Sequence, residues 1–139
     1  ETRPINGTKR DLFIQERLTR ERFTRTDRLR KRREFVDLSK RGKNVSDRYF
    51  ILSYRPNGQD RCRLGITVTK KVGNAVIRNR LKRIVREYFR RNRSRIEQNL
   101  DINVIVKKSA MTVSSQRAHA SLHALVDRIE EAGSRRIEK

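Results

Sequence analysis

Nine Lys or Arg side chains and a single acid fall between Lys70 and Arg91, and the cations recur at helical spacing. Arg78, Lys82 and Arg86 lie four apart, while Asn79, Arg83 and Arg90 form a second row nearby. Like charges placed this way destabilise an isolated helix, so the face makes sense when phosphates neutralise it. Lys70 and Lys71 bring two more cations to the front of the stretch, where Gly73 permits a tight turn. A helix beginning near Asn74 adds N–H donors and a positive dipole end, which also suit phosphate. Asn74 and Asn79 donate and accept at once and can read base edges or ribose hydroxyls. The chemistry on offer is polyanion binding. A merely solvated charged face is the plainer alternative, and the regular apolar rhythm behind the cations argues against it.

Bond-breaking chemistry has less to work with. Metal-assisted phosphodiester cleavage needs clustered carboxylates. Between Gly42 and Ala110 the acids are Asp47, Asp60, Glu87, Glu97 and Asp101, scattered over turns and helix ends. His119 and His123 sit four apart with Asp127 one turn on, a spacing that can hold a metal. The run His119-Ala120-Ser121-Leu122-His123 lacks the Glu of a His-Glu-x-x-His site, so both are expected to be solvent-exposed on the polar side of the last helix. These residues point to a protein that binds without cutting.

The whole chain has the same character. Its 37 Lys and Arg against 16 Asp and Glu give a net charge of +21 and a pI near 11.5. Such a chain seeks a polyanion, nucleic acid first and an anionic membrane surface second. At 139 residues and 34% hydrophobic it is most simply one domain with a small core. No apolar run approaches the roughly 18 to 20 residues that span a bilayer, and no signal-peptide pattern appears, so a cytoplasmic location is expected. The lone Cys62 excludes an intrachain disulfide and a multi-Cys zinc site.

The elements that must position the basic stretch can be read in order. Residues 1 to about 26 form a basic extension, either an arm laid on RNA or a solvated tail, with an apolar cluster at Leu12, Phe13 and Ile14 and a capping-box-like Thr8 and Asp11. Thr26 or Asp27 can cap a helix to Lys40 carrying a narrow stripe of Leu29, Phe35, Val36 and Leu38, with Gly42 expected in the left-handed position beyond its end. Asn44 to Ser46 reads as a short extended piece. Arg48 to Arg55 reads as a strand with apolar groups on both faces, which implies a sheet covered at least in part on both sides. After a turn at Pro56 to Asp60, a strand from Arg61 to Thr69 alternates cleanly, and the two strands are expected to pair as an antiparallel hairpin. Cys62, Leu64, Ile66 and Val68 share its apolar face, so Cys62 is expected to be a buried, inert thiol. In the basic helix Ile77, Leu81, Ile84 and Tyr88, with Val85 adjacent, form a face broad enough to bury. Ile102 to Val106 reads as a further strand and completes a βαβ unit. A last helix, Ser115 to Ala132, carries Ala118, Leu122, Leu125 and Ile129 and is expected to stop at Gly133.

The sequence Lys70-Lys71-Val72-Gly73-Asn74-Ala75-Val76-Ile77-Arg78-Asn79-Arg80-Leu81-Lys82-Arg83 resembles the signature of the bacterial ribonuclease P protein subunit, whose Arg-Asn-Arg lies on a crossover helix. The likeness extends through Arg63 to Thr69, Arg86 to Arg90 and Asp101 to Val106, covering about residues 27 to 130. It implies an α+β, two-layer αβββαβα fold with a left-handed βαβ crossover, like domain 2 of ribosomal protein S5. The domain is then expected over 27–133, with a flexible or partner-bound extension at 1–26 and a basic tail at 134–139. The resemblance also implies the work: the protein joins a catalytic RNA, and the pair removes the 5′ leader of precursor tRNA with Mg²⁺ held mainly by the RNA. Neither a membrane nor a small-molecule substrate is implied, and no catalytic residue is expected on the protein. The face toward the catalytic RNA maps to Lys70, Lys71, Asn74, Arg78, Asn79, Arg80, Lys82, Arg83 and Arg86. The cleft for the single-stranded leader maps to Phe35, Arg48, Tyr49, Ile51, Thr67 and Thr69. Here the chain departs from the family, which often has aromatics where this one has Ser39 and Ser53; Tyr49 and Ile51 are expected to supply the stacking surface instead. The alternative is a basic structural RNA-binding protein such as a ribosomal component. A helix-in-groove DNA binder is disfavoured, because the basic helix is flanked by strands.

Overall fold

The computed structural model describes residues 28–58, 61–92, 96 and 99–138, with side chains described as far as Ala132. The expectations for the extension at residues 1 to 26 lie outside the described residues, but the helix expected to begin at Thr26 or Asp27 starts only at Arg32, with Lys31 at its N-cap, because Arg28 and Leu29 pair with the backbone of Leu64 instead. The order is α1 (Arg32–Arg41), β1 (Lys43–Ser46), β2 (Phe50–Pro56), β3 (Arg63–Thr67), α2 (Ala75–Asn92), β4 (Leu100–Val106), a 3₁₀ turn at Lys108–Ala110 and α3 (Ser115–Glu138). This is the αβββαβα sequence of elements expected of the chain.

The strands form one sheet in the order β1-β2-β4-β3. The expected β2–β3 hairpin does not form, because β4 lies between them. β2 pairs antiparallel with β4 from Phe50↔Val106 to Pro56↔Leu100, and β3 pairs parallel with β4 from Arg63↔Asp101 to Thr67↔Ile105. Burial explains the order. In β4 every residue but Ile105 is buried, so it needs a neighbour on each edge and cover on each face. β3 is half-buried at Arg63, Ile66 and Thr67 and tolerates the edge.

One face of the sheet carries Leu52, Tyr54, Leu64, Ile102 and Val104. It is sealed by Leu81, Ile84, Val85, Tyr88 and Phe89 of α2 and by Ala118, Leu122, Leu125, Val126 and Ile129 of α3, all in one core cluster. Leu29 and Leu38 are buried but stand outside that cluster, since α1 crosses the opposite face. Gly42 does not take the left-handed conformation expected of it: its φ is −80°. It is needed for space, because a Cβ there would lie 2.6 Å from the Leu38 carbonyl oxygen and 3.0 Å from that of Tyr54. Nor does Gly133 end the last helix, which runs on to Glu138. A single helical Gly costs only about 1 kcal/mol relative to Ala, and a helix of 24 residues absorbs it. Cys62 is half-buried rather than buried, because β3 begins one residue after it.

Candidate nucleic-acid interface

Two surfaces are available to a polyanion, and different physics builds each. The first is the outer face of α2. Asn74 caps this helix by accepting the Ile77 N–H on Oδ1 at 3.0 Å, which fixes the corner after β3. Burial of Leu81, Ile84, Val85, Tyr88 and Phe89 sets the rotation of the helix. That rotation leaves Asn79, Arg83 and Arg86 exposed and Arg78 and Lys82 half-buried, with Lys70, Lys71 and Asn74 exposed at the corner. Two of the expected RNA-face residues also have structural duties. Arg78 Nε donates to the Gly73 carbonyl at 3.2 Å, and a terminal nitrogen of Arg80 donates to the Val113 carbonyl, tying α2 to the segment before α3.

The second surface is the half of the sheet that α1 leaves open. α1 is anchored at its start by an ionic knot. Arg63 donates to both Asp101 oxygens, Nε to Oδ1 at 2.8 Å and NH2 to Oδ2 at 2.7 Å, and its third nitrogen reaches Glu34 at 2.7 Å. Asn57 Nδ2 donates to the same Asp101 at 2.9 Å. The other Glu34 oxygen accepts the backbone N–H groups of Arg30 and Lys31, each at 3.1 Å, and so caps α1. Burial alone would raise the Glu34 carboxyl, but those two N–H groups and the Arg63 guanidinium outweigh it and hold it below its ordinary value of 4.5. The hydrogen bond to Asp101 likewise raises Arg63, despite its burial.

Past this knot, Phe35 rests on the backbone of β3. A Cβ on Gly65 would lie 2.5 Å from the Phe35 ring, so glycine is what allows the contact. Beyond Phe35 no helix among the described residues crosses the face. Ile51, Ile105 and Thr67 form one cross-strand row there, all half-buried. The expected cleft residues Phe35, Ile51 and Thr67 are thereby brought to one face. Tyr49, just before β2, packs edge-on to Phe50 with ring centroids 6.3 Å apart, and the Arg48 guanidinium lies 5.8 Å from its ring centre. Thr69 stands apart: it is exposed in the corner beside Lys70, where its carbonyl accepts the Val72 N–H at 3.1 Å.

Between the two surfaces, at the outer edge of β3, Arg28, Lys82 and Arg86 rim a pocket of about 170 Å³ floored by Leu29, Phe35 and Leu64. Sequence reading missed Arg28, which pairs with Leu64 through an isolated bridge, and Ile105, whose alternation with Val104 and Val106 was its one signal.

The histidines differ from expectation. Both are half-buried at the α2–α3 contact, with rings 5.8 and 6.1 Å from that of Tyr88. His123 Nδ1 lies 3.2 Å from the Tyr88 hydroxyl and His119 Nε2 lies 3.3 Å from the Ile84 carbonyl oxygen. They flank the stripe of Ala118 and Leu122, so docking that stripe carries them against Tyr88. Asp47, which read as one scattered acid, ties the start of β2 to α3. Its Oδ1 accepts the Tyr49 and Phe50 N–H groups at 2.9 and 3.0 Å, and its Oδ2 accepts the Ser121 hydroxyl of α3.

Residues 23–130 match the family model of ribonuclease P. The chain belongs to the bacterial ribonuclease P protein family. It is 51% identical over 113 residues to the ribonuclease P protein component of Desulfatibacillum aliphaticivorans, an alignment that covers 81% of this chain and 95% of that one. Among solved structures, the RNase P protein from Thermotoga maritima superimposes with a TM-score of 0.69 at 43% identity, covering 73% of this chain and 96% of its own. That of Staphylococcus aureus gives 0.71 at 36% identity, covering 74% and 94%. Family membership makes the chain the protein component of a ribonucleoprotein endoribonuclease that acts in tRNA 5′ processing, and its partner is RNA. The ribosomal-component alternative is thereby set aside. No helix among the described residues is long and apolar enough to cross a membrane.

Proposed function

We propose that the two surfaces divide the work of ribonuclease P. The α2 face and its corner, Lys70, Lys71, Asn74, Arg78, Asn79, Arg80, Lys82, Arg83 and Arg86, hold the catalytic RNA. The open half of the sheet, with Phe35, Arg48, Tyr49, Ile51, Thr67 and Thr69 in and around it, takes the single-stranded 5′ leader of precursor tRNA. The observation that carries this reading is the contrast between a convex row of cations and a half-buried, largely apolar row of Ile51, Ile105 and Thr67 beside an aromatic ring. Cations on a convex helix suit the phosphates of a folded RNA, whereas a flat apolar floor suits unpaired bases, each of which offers a π-face.

In this reading the protein supplies binding and charge neutralisation, and cleavage belongs to the RNA and its Mg²⁺. Among the described residues no three His, Cys, Asp or Glu side chains gather as a metal site. In this reading the divalent ions find their oxygen ligands on the RNA, where nearby Arg and Lys relieve phosphate repulsion. A cytoplasmic location follows from that role. The test is reconstitution: the chain, a catalytic RNA and precursor tRNA are combined at low Mg²⁺, singly and together. Leader removal only when both protein and RNA are present is expected, and cleavage by the protein alone would overturn the reading.

A further inference from the structure

Among the apolar groups of the open face stands a buried carboxamide with a use beyond closing the sheet. We infer that Asn103, positioned by Thr67, hydrogen-bonds the edge of one unpaired leader base, so that the cleft selects a base by its edge. This rests on the placement of the leader proposed above.

β4 is apolar at Leu100, Ile102, Val104, Ile105 and Val106, and a central strand buried on both faces has no general need for a carboxamide. Asn103 is nevertheless only 6% exposed. It stands in a row that crosses all four strands, Asn44, Ser53, Asn103 and Gly65. Within the row Ser53 satisfies itself by donating to Asn44 Oδ1 at 2.5 Å. Asn103 is satisfied only in part: its Oδ1 accepts the Thr67 hydroxyl at 3.2 Å, while among the described residues its Nδ2 has no acceptor. A buried amide donor without an acceptor is unfavourable and calls for an explanation, of which a ligand is one.

The direction of the side chain supports the ligand. Gly65 is the register partner of Asn103, and Thr67 is one step further along β3, in the open row with Ile51 and Ile105. The bond to Thr67 therefore draws the carboxamide away from α1 and toward the open half of the face. There Nδ2 can donate to a ring nitrogen or carbonyl oxygen of a base, while the second lone pair of Oδ1 can accept from an exocyclic amine or ring N–H.

The holoenzyme, reconstituted from the full chain and its catalytic RNA, tests this with precursor tRNAs carrying each of the four bases at each leader position. Wild type should prefer one base at one position by about tenfold in kcat/KM, the scale of a single base-edge contact. Asn103→Val should bring that ratio within twofold through KM, with no loss of melting temperature, since Val suits a central strand. Thr67→Val should lower the ratio by an intermediate factor. Base-indifferent wild type, or an Asn103→Val enzyme that keeps its preference, would overturn the inference. Unchanged wild-type affinity after removal of the whole leader would also overturn it, but through the cleft assignment on which it rests.

Discussion

The two faces of this sheet are built from the same four strands and are held in opposite ways. One is uniformly apolar and sealed by two long helices, with Leu52, Val104, Leu81 and Leu122 all at 0% exposure. Among the described residues the other is crossed by one short helix, pinned at its start by an ionic knot, and is uncovered beyond Phe35. The difference teaches where stability and recognition are separated. Hydrophobic burial is non-directional and tolerates no vacancy, so the sealed face can hold the domain together but offers nothing to a ligand. An ion-paired anchor fixes α1 at one end and leaves a half-buried surface, the one proposed for the leader. The cations of α2 belong to the sealed side but project away from it, so charge and core share one helix without competing.

The largest effect should come from breaking the sealed face. Leu81→Ala removes a fully buried side chain and should cost about 2 to 5 kcal/mol, read as a lower denaturant midpoint, while the folded fraction keeps its RNA contacts. Asp101→Ala on the other face strips Arg63 of its bidentate partner. The site is only partly buried, with side-chain exposures of 17% and 12%, so about 1 to 3 kcal/mol is expected, accompanied by a weaker grip on the leader as α1 loosens. Equal loss of leader and catalytic-RNA affinity in that variant would blur the comparison between the faces.

Much of the sealed face was legible beforehand, and the open face was not. Spacing alone placed Ile77, Leu81, Ile84 and Tyr88 on one side of α2 and Leu122, Leu125 and Ile129 on one side of α3, because helical periodicity is a local property. Strand order is not local. The turn at Pro56 to Asp60 suggested a hairpin, and only the need of β4 for neighbours on both edges puts it between β2 and β3. The knot of Glu34, Arg63 and Asp101 joins residues up to 67 positions apart in number, and no spacing rule connects them. Gly42 and Gly65 were visible as glycines, but their purpose, room for Tyr54 and Phe35, exists only once the chain has packed.

Smaller effects sharpen the contrast. Arg83→Ala should weaken catalytic-RNA binding and reduce the slope of log K against log salt by about 1, the amount for one phosphate contact. The carboxyl of Glu34 is held below 4.5 in the folded chain. Its contribution is therefore present above 4.5 and lost as pH falls through the lower folded value. Glu34→Gln should flatten that part of the acid limb in a pH series of denaturant midpoints. Smallest of all, Glu87→Ala breaks surface pairs with Arg90 and Arg91 at 2.7 and 2.8 Å and should cost only about 0.3 to 0.5 kcal/mol.

The division of labour between the faces is tested most directly by measuring two affinities in two variants, Arg83→Ala and Ile51→Ser. One affinity is for catalytic RNA alone; the other is the holoenzyme's gain for precursor tRNA with its leader over tRNA without it. Arg83→Ala should lower the first and keep the second, while Ile51→Ser should keep the first and reduce the second. If each variant lowers both to the same degree, the two surfaces are one site and the account is wrong.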